Sequence, residues 1–161
     1  MVAFSNPVEH QRQTPIRQEE PMPRLIFVNL PVRDLGRATA FYEAVGASKN
    51  EQFCDDTASC MVFSETIHAM LLTHDKFRQF TPKAIADATR TSEVLICLSA
   101  DSREGVDDMA GKAAAAGGRV DPCPKQDYGF MYGRSFEDPD GHIWEVMWMD
   151  VAAAQAAMAA R

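Results

Sequence analysis

The chain has 161 residues, 46% of them hydrophobic and 24% charged, with a formal net charge of −7. That is the make-up of one globular domain, or of two very small modules sharing a core, and it excludes wholesale disorder. A sequence pI near 5.0 argues against nucleic acid as a partner, because phosphate binding needs a basic surface, and no apolar run approaches the roughly 20 residues that span a bilayer.

Residues 1–22 carry no periodicity and no continuous apolar segment of the roughly 7–15 residues found in a secretory signal. They are expected to form a disordered extension. Leu25–Val32 then has strand composition and is followed by Asp34, an expected N-cap. Leu35, Ala38, Phe41, Tyr42 and Val45 recur at helical spacing until Gly46 closes the helix. Three short strands are expected next, at Lys49–Cys54, Ser59–Ser64 and Ile67–Thr73.

His74–Ser92 is polar, and a short helix is expected there around Lys83–Ala88. The pattern then repeats. Glu93–Ser99 is a strand, Asp101 or Ser102 a cap, and Val106, Met109, Ala110, Ala113 and Ala114 an apolar stripe stopped by Gly117-Gly118. Strands near Arg119–Pro124, Phe130–Phe136 and Ile143–Met149 follow, with clear turn chemistry in Glu137-Asp-Pro-Asp-Gly141. Val151–Arg161 is Ala-rich and reads as a terminal helix or tail.

The order is βαβββ–linker–βαβββ. Neither half buries a sufficient core alone. The expectation is an α+β domain over 23–150, with modules at about 23–74 and 92–150 forming a curved mixed sheet around a cavity. Cys54, Cys60, Cys97 and Cys123 include no C-x-x-C pair, so four reduced thiols in a cytoplasmic protein are expected.

The duplicated module, the strand ending Val32-x-Asp34-Leu35, the Ala40-Phe-Tyr-Glu-x-x-Gly46 helix end and Asp138-Pro-Asp-Gly-x-x-x-Glu145 resemble the vicinal oxygen chelate superfamily. That superfamily includes glyoxalases, extradiol dioxygenases, fosfomycin-modifying enzymes and bleomycin-binding proteins. The resemblance covers Pro23 to Asp150. It implies a homodimer, and a divalent metal chelating adjacent substrate oxygens, with ligands from the first and last strand of each module. At those positions stand Phe27, Met70 or Leu71, Val94 and Glu145. Only Glu145 offers a hard donor. A rearranged site would join Glu145 to His68 or His74, which are too far apart along one strand to share an ion. Without a metal, a buried Glu145 would act as a base.

Two readings follow. One is a metal-free binding module whose cavity is lined by Phe27, Val94, Ile96 and Met147, with Asn29 facing inward and Tyr132 and Arg134 as polar anchors for an anionic or carbonyl-bearing ligand. In the plainer alternative, Arg134 bridges to Glu137 or Asp138. The other reading is a metal-dependent lyase or dioxygenase built on Glu145. No glycine-rich phosphate loop and no Gly-x-Ser-x-Gly is present.

Overall fold

The computed structural model describes residues 23–160; the extension expected at 1–22 lies outside the described residues. β1 (Ile26–Val32) enters α1 (Leu35–Ala44) through Asp34, whose carboxylate accepts from the Arg37 amide at 2.9 Å. That is the N-cap role read from the sequence. β2 (Ser48–Lys49), a 3-10 turn at Glu51–Phe53, β3 (Ala58–Val62) and β4 (Ile67–Thr73) complete the first module. The sheet order is β1-β4-β3-β2, with β1 parallel to β4.

The second module repeats this plan. β5 (Ile96–Ser99) leads into α3 (Arg103–Ala115), and of the two expected caps it is Ser102 that receives the Gly105 amide, at 3.0 Å. β6 (Arg119–Val120), β7 (Gln126–Asp127), β8 (Met131–Glu137) and β9 (Ile143–Met149) follow. Here the order is β5-β9-β8-β6, with β7 also paired to β8. The fold is α+β as expected, but the strands form two mixed sheets, of four and five strands, rather than one curved sheet.

Strand alternation decides what lies between the sheets. Leu30 and Val32 of β1, Ala69 and Leu71 of β4, and Trp144 and Val146 of β9 turn one way, and all are buried. Phe41 and Tyr42 of α1, with Val106 and Ala113 of α3, fill the same core. Phe41 reaches Phe136 of the other module at 6.0 Å between ring centroids, and Tyr42 reaches Trp144 at 5.8 Å. The two modules therefore join through their helix-bearing faces. Gly118 permits this closeness, since a Cβ there would stand 2.8 Å from the Phe41 ring and 2.6 Å from the Glu137 carbonyl.

The linker departs from expectation. Its helix, α2, is His74–Phe77, capped by the Thr73 hydroxyl, whereas Lys83–Ala88 is not helical. The Ala-rich end forms α4 (Val151–Ala159), capped by Asp150 and docked through buried Ala154. No helix among the described residues is long and apolar enough to cross a membrane.

Candidate functional site

The same alternation sorts the site residues. On β9, Trp144 and Val146 enter the core, so Glu145 and Met147 occupy the opposite, outer face of the second sheet. Ser135 and Gly133 of β8 pair with them there. Arg134 pairs with Val146, and Tyr132 with Trp148, which puts both on the helix side. Tyr132 and Arg134 therefore do not share a face with Glu145, although Arg134 also borders its recess.

Neither Glu137 nor Asp138 is the partner of Arg134. The guanidinium donates twice to Asp121, at 3.0 and 2.7 Å, and once to Asp107 at 2.9 Å. The Tyr132 hydroxyl donates to the same Asp107 oxygen at 2.9 Å. Arg134 holds the Asp121 and Asp107 carboxyls below their ordinary value and is itself raised, chiefly by Asp121. This is a closed ion-pair network tying α3 to β8. Three of the five guanidinium N–H donors are committed to it.

Glu145 is half-buried, with Ser135 as its register neighbour on β8. Its register neighbour on β5 is Cys97, whose thiol is pushed up by burial and then by the Glu145 charge. The two border a recess of about 70 Å³ with Cys123, Gln126 and Met147, too small for an organic ligand of ordinary size. No disulfide links the four cysteines.

The metal implied by the resemblance does not fit these residues. Superposing the two N-caps, Asp34 and Ser102, makes Leu95 rather than Val94 the counterpart of Phe27 in the repeat. The strand pairings Asn29–Met70 and Cys97–Glu145 make Met70 the counterpart of Glu145. The four positions thus hold Phe27, Met70, Leu95 and Glu145, three of which offer a hard cation no oxygen or nitrogen. His68 and His74 lie on or beside β4 of the first sheet, away from β9. His68 stacks on Phe27 at 4.6 Å, with its Nδ1 buried and unpartnered. Among the described residues no group of three or more His, Cys, Asp or Glu side chains is placed to hold a metal ion.

The larger opening lies elsewhere, between β1, the start of β5 and the linker. A cleft of about 400 Å³ is bordered by Asn29, Leu30, Pro31, Val94, Ile96 and His142, with Phe77 and Ile85 from the linker side. Three of the expected ligand contacts, Asn29, Val94 and Ile96, meet here. Phe27 and Met147 are not among its walls, so the single cavity expected from Phe27, Val94, Ile96 and Met147 is replaced by two separate openings.

Gly141 and His142 also border the cleft, and they end the loop Asp138–His142, which the sequence marked as a turn and as part of the family motif. Asp138 is buried. Its Oδ1 accepts from the Asp140 and His142 amides, each at 2.9 Å, and its Oδ2 accepts from the Tyr42 hydroxyl at 2.7 Å. That hydroxyl accepts in turn from Trp144 Nε1 at 2.9 Å. Asp140 accepts from the amide and guanidinium of Arg33, at 3.0 and 3.1 Å. His142 Nε2 donates to the Pro31 carbonyl at 2.9 Å, since a carbonyl can only accept. Burial pushes the Asp138 carboxyl up, and burial with the Asp138 charge pushes Tyr42 up. Chemically, the arrangement offers an apolar cleft with an amide (Asn29) and an imidazole at its walls.

Comparisons with known proteins bear on this geometry. The model of the Glyoxalase/Bleomycin resistance protein/Dioxygenase superfamily matches residues 24–146. A hypothetical protein, SA1046, of S. aureus is 27% identical, with a TM-score of 0.65 over 80% of this chain and 95% of its own. A glyoxalase/bleomycin resistance protein/dioxygenase family enzyme of Burkholderia phytofirmans PsJN is 21% identical, with a TM-score of 0.64 over 79% and 99%. The fosfomycin resistance protein FosX of Mesorhizobium loti is 17% identical, with a TM-score of 0.57 over 86% and 99%. The last two likenesses concern the fold. No curated protein matches the chain.

Proposed function

The chain belongs to the Glyoxalase/Bleomycin resistance protein/Dioxygenase superfamily, and on that premise we propose that it is a binding module, holding a small organic ligand without a metal in the cleft beside Asn29 and Ile96. The observation that carries this reading is the cleft itself. Its volume of about 400 Å³ falls within the roughly 300–1,000 Å³ of small-molecule sites, and its make-up, apolar walls with a few polar groups, is theirs too. The identities at the four metal-ligand positions of the family weigh the same way.

The fluorescent amine N-phenyl-1-naphthylamine is a suitable probe. Val94 is exposed at the rim, so Val94→Asp leaves folding intact and is expected to weaken probe binding at least tenfold. Arg134→Gln, on the far side of its sheet, should leave probe affinity within a factor of two. Equal loss in both variants would refute the assignment. Stoichiometric Mn²⁺, Fe²⁺, Ni²⁺ or Zn²⁺ binding, abolished in Glu145→Gln, would restore the lyase or dioxygenase reading.

A homodimer is proposed on a separate observation. β1 and β5 are both edge strands, and the exposed large apolar residues include Leu25, Ile26 and Phe27 on or next to one, and Val94 and Leu95 just before the other. Exposed apolar edges invite pairing with a second chain. Light scattering is expected to give twice the 17.8 kDa chain mass, falling to one chain mass in Ile26→Lys/Phe27→Lys. A wild-type monomer at tens of micromolar would overturn it.

A further inference from the structure

We propose that the segment Thr81–Val94 is a lid over the cleft, swinging away from the body to admit the ligand; the inference rests on the ligand-binding reading. The segment forms one wall of the cleft through Lys83, Ala84, Ile85, Ala86, Ala88 and Val94. It is also undercut from the other side, by a second opening of about 470 Å³ that Ala84–Ala88 share with Arg33, His74 and Arg78.

Its hydrogen bonds are the stronger observation. The Lys83 amide donates to the Thr81 hydroxyl, the Thr89 amide and hydroxyl to Asp87, the Arg90 and Thr91 amides to the Asp87 carbonyl, and the Ser92 hydroxyl to the Val94 carbonyl. Every one of these closes within the segment. Among the described residues none runs from it to a strand or helix of the body. The Asp87 carboxyl is held down first by the Thr89 hydroxyl, which closes the local turn, and less by the charge of Arg33 in the body, which borders the same second opening.

Packing, with the pull of Arg33 on Asp87, is therefore what seats the lid. Within Thr81–Val94 only Thr81, Ile85 and Ala88 are less than exposed. Its close backbone approach is at Gly141, where a Cβ would stand 2.7 Å from the Thr89 nitrogen and 2.8 Å from the Ala88 carbonyl carbon. Lifting the segment thus breaks no hydrogen bond to the body and exposes little apolar surface, which places it at the low end of the local opening energies in a protein. The two ends are fixed, one by α2 and one by the pairing of β5 with β9, so the motion is that of a strap rather than a free tail.

Native-state trypsin cleavage and amide hydrogen exchange on the full chain test this, with and without N-phenyl-1-naphthylamine. Lys83 and Arg90 are exposed within the segment, and trypsin should cut there before any site in the two sheets. Amides between Lys83 and Glu93 should exchange at least a hundredfold faster than those of β9. Saturating probe should slow both cleavage and exchange of the segment at least fivefold while α1 is unchanged. Segment amides as protected as β9 in the free protein would overturn the lid. So would a probe that saturates without altering the segment. A probe that fails to bind would count against the ligand-binding reading alone, with the lid still decided by exchange and cleavage in the free protein.

Discussion

Tyr42→Phe is expected to destabilise the protein by about 2–4 kcal/mol, lowering its Tm by roughly 5–15 °C, although it removes a single oxygen atom. The hydroxyl donates to buried Asp138 and accepts from the buried Trp144 indole. Its loss strands an acceptor and a donor together, and each carries its own desolvation cost. Asp138→Asn is the companion variant, retaining Oδ1 for the loop amides. In the native state burial raises the Asp138 carboxyl above its ordinary value. The folded protein therefore holds a proton that the unfolded chain has already released. The contribution is fully present below the unfolded value, near 4, and is lost as pH rises through the raised folded value. Asp138→Asn should remove that downward slope. Urea titrations of both proteins between pH 4 and 8 measure it, and the opposite slopes from Asp107 and Asp121 cancel in the difference. Parallel curves would show that Asp138 is ionised throughout.

Gly141→Ala is expected to cost about 1–3 kcal/mol and, more tellingly, to push the linker off the cleft. At φ +99° the backbone is one that L side chains rarely adopt. The added methyl would also meet the backbone of Ala88 and Thr89, which cannot rotate away as a side chain would. Stopped-flow binding of N-phenyl-1-naphthylamine should show a faster association and a still faster dissociation than in the native chain, with net affinity reduced. Unchanged association would mean that the segment does not limit entry. Gly118 offers a control for stability alone: an alanine there meets Phe41 and Glu137, far from the linker in sequence, so it should lower Tm without changing the association rate.

Much of the fold was legible because its signals are local. Asp34 capping α1, the apolar stripes of both helices, and β9 at Ile143–Met149 follow from spacing and cap chemistry. The site was less so. The sequence reading set Val94 opposite Phe27, whereas the true cap, Ser102, sets Leu95 there. A slip of one residue reverses the face a side chain points to. Tyr132 and Arg134 were expected to share a cavity with Met147, but β8 carries them on the helix side whereas Met147 lies on the outer face of β9. Asp138 looked like an ordinary turn residue because its partners, Tyr42 and the Trp144 indole, declare themselves only in three dimensions. The linker was missed for a related reason: with no hydrogen bonds to the body and little burial, nothing in its composition says what it covers.

The bonds anchoring the Asp138–His142 loop also bear on how the chain is made. Arg33, Tyr42 and Pro31 find their partners 107, 96 and 111 residues further along. At about 5–20 residues per second of synthesis, those partners emerge from the ribosome roughly 5–20 s later. Until then the nascent first module displays the faces of Phe41 and Tyr42 that Phe136 and Trp144 will cover. Its second half therefore serves as the delayed template on which the first becomes native, and in the interval the exposed faces are a target for chaperones.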